Sequence, residues 1–102
     1  MPKGILYVGS RPAAAEEADA YHAWYTGTHI PEMTAIDGVV SARRFAPLDG
    51  DGPYVAIYEL EGDDLETVKA AVAEAGRSGK MSPPVGTATN PPPVVTYLQE
   101  IR

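Results

Sequence analysis

The chain has 102 residues, 14 acids against 8 bases, a net charge of −6 and no cysteine. That length holds one domain, residues 1–102, with a thin core. The acidic balance argues against nucleic acid or an anionic membrane surface as partner, and the lack of cysteine excludes disulfides, thiolate metal sites and a cysteine nucleophile. No apolar run approaches the roughly 20 residues of a membrane span. The opening "MPKGILYVGSRP" has too short an apolar core for a secretory signal, so a soluble, cytoplasmic protein is expected.

"GILYVGS" (4–10) has the length and the β-branched and aromatic content of a strand. In "RPAAAEEADAYHAWYTG", Pro12 suits a helix start and acids fill the first turns, where negative charge is favoured. Gly27 is expected to end that helix as a cap. Thr28 would then cap a second short segment with Pro31 in its first turn. "DGVVSARRFAPL" (37–48) leaves a turn and becomes a strand. Alternation sets Val39, Ser41, Arg43 and Phe45 against Val40, Ala42, Arg44 and Ala46. "DGDGP" (49–53) is a turn and "YVAIYELEG" a second strand, so 38–61 reads as a hairpin. "DDLETVKAAVAEAG" (63–76) is a helix capped by Asp63 or Asp64, with Leu65, Val68, Val72 and Ala75 as its apolar stripe and Gly76 at its end. Residues 77–93 hold five prolines and no periodicity, which marks a lid, an arm or a linker. "VVTYLQEIR" closes the chain as a strand.

The order β-α-β-β-α-β is the ferredoxin-like pattern of the α+β class: a four-stranded antiparallel sheet with two helices on one face. Both alternating faces of "YVAIYEL" are apolar, with Tyr54, Ala56, Tyr58 and Leu60 on one and Val55 and Ile57 on the other. Two helices cover only one side. A second copy packed face to face would cover the other, so a homodimer is expected.

The segment Tyr21–Gly38 holds both histidines and the one tryptophan. His29, two residues before Pro31 at the expected helix break, is the candidate general acid or base; the competing reading is a helix-end cap. His22, His29 and Glu32 include donors that zinc or iron accepts, but at a spacing of no compact ligand motif. Glu32 better suits orienting His29 or capping the second segment. Trp24, Tyr21 and Tyr25 at helical spacing serve a core first, with polar tips free to face a pocket. Tyr7, Tyr54, Tyr58 and Tyr97 on strands either line a cavity or sit in a dimer interface. Arg43 and Arg44 point to opposite faces, so one is directed at a buried side. Its partner is an acid such as Asp37, Glu32 or Glu59, or a substrate carboxylate or enolate.

The run from Tyr21 to Phe45 resembles the EthD-like branch of the dimeric α/β-barrel superfamily. The resemblance lies in Trp24-Tyr25, His29-Ile30-Pro31-Glu32, Asp37-Gly38 and Ala42-Arg43-Arg44-Phe45. Asp37 replaces the proline usual at the turn, and Thr28 an acid common beside the histidine. The resemblance implies a homodimer whose sheets form a barrel, with one cleft per subunit. The superfamily spans polyketide cyclases, cofactor-free monooxygenases, muconolactone isomerases and haem-handling enzymes. The expectation is a cofactor-independent enzyme acting on a hydrophobic, oxygenated polyketide-like or aromatic molecule. His29 would be the acid/base, with Tyr7, His22, Trp24, Tyr25, Glu32, Arg44 and Tyr58 around the substrate. An anthrone-type monooxygenase and a non-catalytic dimeric binding protein are the alternatives.

Overall fold

Each expected strand forms. In the computed structural model, which describes residues 2–101, β1 is Lys3–Ser10, β2 Val39–Phe45, β3 Tyr54–Glu61 and β4 Val94–Gln99. They make one antiparallel sheet in the order β2-β3-β1-β4. This α+β arrangement is compatible with a ferredoxin-like fold.

Sheet register sorts the side chains into two faces. Leu6 lies opposite Tyr58 and Tyr97, and Val8 opposite Ala56 and Val95. Leu6, Ala56, Tyr58 and Leu60 join Tyr21, Trp24, Tyr25, Met33 and Val68 from the helices in one core. Ile5, Tyr7, Val55 and Ile57 alternate to the other face. No helix among the described residues covers them, and Phe45, Val94 and Leu98 beside them are exposed. The simple alternation expected in β2 fails at its start. A bulge between Val39 and Ser41 lets Val39 face inward with Ala42 and Arg44, leaving Ser41, Arg43 and Phe45 outside. Arg43 reaches Glu59 at 3.5 Å.

Helical backbone runs without interruption from residue 15 to residue 34. It comprises a 3-10 turn Ala15–Glu17, α1 Ala18–Trp24, a π turn Tyr25–His29 and α2 Ile30–Thr34. The expected break is therefore corrected: Gly27 is not a cap, and Thr28 starts nothing. Gly27 is not among the glycines with positive φ, and an added Cβ there would meet no atom within 4 Å. A π turn absorbs the extra residue, with the Ile30 N–H bonding to the Tyr25 carbonyl. Pro12 does not open the helix either; it bridges to Thr87.

The second helix, α3, is Leu65–Arg77, one residue past Gly76. The Asp64 carboxylate caps it by accepting from the Glu66 N–H at 3.0 Å. Val68 is buried over the turn at Gly38, where φ is +97° and an added Cβ would lie 2.6 Å from Val68 Cγ2. No helix among the described residues is long and apolar enough to cross a membrane.

Candidate functional site

A cavity of about 500 Å³ opens between the sheet and the two helical segments. Its floor is Leu6 and Val8 of β1 with Tyr58 of β3; its walls are Trp24, His29 and Met33 on one side and Val72 of α3 on the other. The proline-rich loop supplies the roof through Met81, Ser82, Pro83, Pro84 and Thr87. The stretch expected as a lid, an arm or a linker is here a loop that lines the cavity.

The roof is fastened at two points. The Ser82 N–H and Oγ–H donate to the two Glu32 oxygens at 3.0 and 2.7 Å, tying the loop to α2. Further along, the Ala13 N–H donates to the Gly86 carbonyl at 2.7 Å and the Ala88 N–H to the Arg11 carbonyl at 2.8 Å. Gly86 lies so close to α1 that an added Cβ would sit 3.0 Å from the Glu17 carbonyl oxygen, and its φ is +71°. The two bonds from Ser82 hold the Glu32 carboxyl below its ordinary pKa.

The π turn builds the wall that carries His29. In a regular α-helix residues five apart point about 140° away from each other. Here the widened turn stacks the His29 ring on the Trp24 ring, with centroids 4.5 Å apart and planes 18° from parallel. Tyr25 and Tyr58 meet the same imidazole edge-on, at 5.2 and 6.3 Å. Burial lowers the His29 pKa, and the Glu32 charge opposes this only in part. The imidazole is therefore neutral near neutral pH. Burial pushes the Tyr58 phenol far above its ordinary value, with the neighbouring Tyr25 adding to the effect. Tyr25 is raised as well, by burial first. Its hydroxyl stands close enough to Ser10 and Tyr58 to influence ionisation, but the only hydroxyl pair at hydrogen-bonding geometry here is Ser10 with Tyr21, at 2.6 Å.

Four buried polar atoms among the described residues have no hydrogen-bond partner: Trp24 Nε1, His29 Nδ1, Tyr58 Oη and Thr87 Oγ1. All four belong to residues that line this one cavity. Buried polar groups are almost always paired, so four such atoms around one apolar space are free to take water or a ligand as their partner.

Of the residues singled out in the sequence, His29, Trp24, Tyr25, Tyr58 and Tyr97 come together here. Tyr7, His22, Glu32 and Arg44 stand outside the lining. Tyr7 alternates to the open face of the sheet. His22 Nδ1 lies 3.2 Å from Arg44 Nη2, and its pKa is lowered by burial and then by Arg44. The Arg44 guanidinium lies over the Tyr25 ring at 4.5 Å, so its inward partners are aromatic rings and a histidine rather than an acid. Glu32 fastens the roof. No group of three or more metal-ligating side chains converges among the described residues. Ser10 at the end of β1, Thr87 and the Met81–Pro84 roof are among the lining residues that sequence reasoning missed; the unusual length of the proline-rich loop was the one signal for the roof and Thr87.

No protein-family model, no curated protein and no solved structure matches this chain.

Proposed function

We propose that the chain is a small-molecule enzyme of the EthD-like, dimeric α/β-barrel type, performing cofactor-independent proton transfer next to a carbonyl. The observation that carries this reading is the set of four orphaned polar atoms around one apolar cavity. The neutral His29 imidazole takes a proton from the carbon beside the carbonyl. Negative charge develops on the carbonyl oxygen, which the Tyr58 O–H and the Trp24 indole N–H are suited to receive as donors in an apolar, water-poor space. The high pKa of Tyr58 keeps its proton in place, so it acts by hydrogen bonding rather than by full transfer. Glu32 favours the imidazolium that forms, since its charge raises the His29 pKa. Return of that proton to another carbon gives an isomerisation; its departure with a hydroxyl group as water completes a cyclisation or elimination.

The open face of the sheet, with Ile5, Tyr7, Val55 and Ile57 at its centre, supports pairing with a second copy.

The test uses β-acetonaphthone, whose methyl protons lie next to a carbonyl. In heavy water the protein should speed exchange of those protons for deuterium, followed by proton NMR. His29→Ala should abolish the acceleration and keep binding. Unchanged exchange in that variant removes His29 as base. Binding without any acceleration leaves the non-catalytic ligand-binding protein.

A further inference from the structure

Resting on the reading of this cavity as a substrate site, we infer that it selects uncharged molecules and rejects carboxylates and phosphates. The substrate class is a neutral ketone, quinone, phenol or ester.

None of the described residues lining the cavity carries a carboxylate, an ammonium or a guanidinium. The lining is aliphatic side chains, two methionine thioethers, prolines, aromatic rings and a few hydroxyls. Two cations stand against its lining rings without being part of the lining. Arg44 is held by His22 and by the faces of Tyr25 and Tyr21, and the exposed Lys69 lies over the Tyr97 ring at 5.4 Å. His29, the one lining group able to become cationic, is sandwiched against Trp24 and kept neutral by burial. An anion entering this space loses its hydration and finds no counter-ion. The net charge of −6 adds a repulsive field on approach.

The orphaned atoms state what the ligand does carry. Trp24 Nε1–H is a donor only, while the Tyr58 and Thr87 hydroxyls donate or accept. A molecule that satisfies them presents at least one acceptor oxygen, and an uncharged carbonyl or phenol provides it without the desolvation cost of an anion.

The test compares three probes of nearly equal shape by calorimetry on the intact protein: β-acetonaphthone, β-naphthamide and β-naphthoate. The expected result is binding of the two neutral probes, with naphthoate on the order of 100-fold weaker. A second arm uses Val95→Arg. Val95 lines the cavity but is more than half exposed, so the substitution leaves the core intact. It should move the preference toward naphthoate by about tenfold. Naphthoate binding as tightly as the neutral probes overturns the selectivity, whatever the exchange assay shows. An unaltered preference in Val95→Arg counts against the missing counter-ion as its cause. Failure of all three probes to bind overturns the cavity as a ligand site, and the selectivity with it.

Discussion

Tyr58→Phe separates a hydroxyl kept for a ligand from one kept for the fold. Tyr58 is fully buried and its hydroxyl has no partner. A buried hydroxyl left unpaired costs about 1–3 kcal/mol. Removing one oxygen from a residue at a cavity wall forfeits only a fraction of that in packing. The variant should therefore be more stable by about 1 kcal/mol, a rise in Tm of about 4–8 °C for a domain of this size. Ketone exchange should fall about 100- to 1000-fold, the usual cost of losing an oxyanion donor. Thermal unfolding at fixed protein concentration and the exchange assay read the two effects from one preparation. A loss of 1 kcal/mol or more would show that the hydroxyl is satisfied in the free protein, with the nearby Tyr25 hydroxyl as the obvious partner. Unchanged exchange would take Tyr58 out of the reaction.

The His29 pKa is lowered below 6.5 by burial. The unfolded chain thus takes up this proton first, and stability held in full above pH 6.5 is lost as pH falls through the folded-state value. His29→Gln should flatten that decline in a pH series of denaturant melts, with His22 leaving a residual slope because its pKa is also lowered. Gly27→Ala should stabilise by about 0.5–1 kcal/mol, as for any open helical glycine; a left-handed cap would instead lose stability, so the sign of the Tm change decides. Glu32→Ala should release the roof, seen as faster amide exchange at Ser82 and faster ligand dissociation, with the core amides of β1 and β3 unaltered. Ile57→Asp should convert a dimer to a monomer in light scattering; a wild-type monomer at high protein concentration contradicts pairing through the open face.

Element order, sheet topology and the apolar stripe of α3 were readable because period-two and helical patterns report burial directly. A cap at Asp63 or Asp64 was readable for the same local reason, and the structure uses Asp64. The π turn was not. Gly27 beside Thr28 carries the signature of a helix end, and nothing in the local pattern announces a widened turn that stacks His29 on Trp24. The bulge at Val40 was hidden likewise, since "VVSARRF" alternates equally well in either register until Val39 must fill the core beside Leu60. Half the candidate site was legible, because bulky aromatics and a histidine in one segment stand out. The partners of Arg44 and the Ser82 bonds of Glu32 were not legible, because tertiary contacts with His22, Tyr25 and the roof loop set them. The roof was readable as a loop and not as a wall, because prolines do not reveal which surface they cover.

Trp24 is the sole tryptophan, so the protein has one indole N–H proton resonance. That proton is one of the four orphans at the cavity. Titrating the protein with β-acetonaphthone while recording this resonance tests whether the cavity lends its unpaired polar atoms to a ligand. The expected result is a downfield shift that saturates with the affinity found by calorimetry. A resonance that stays put while the ketone binds, or that already sits at a hydrogen-bonded position in the free protein, contradicts it.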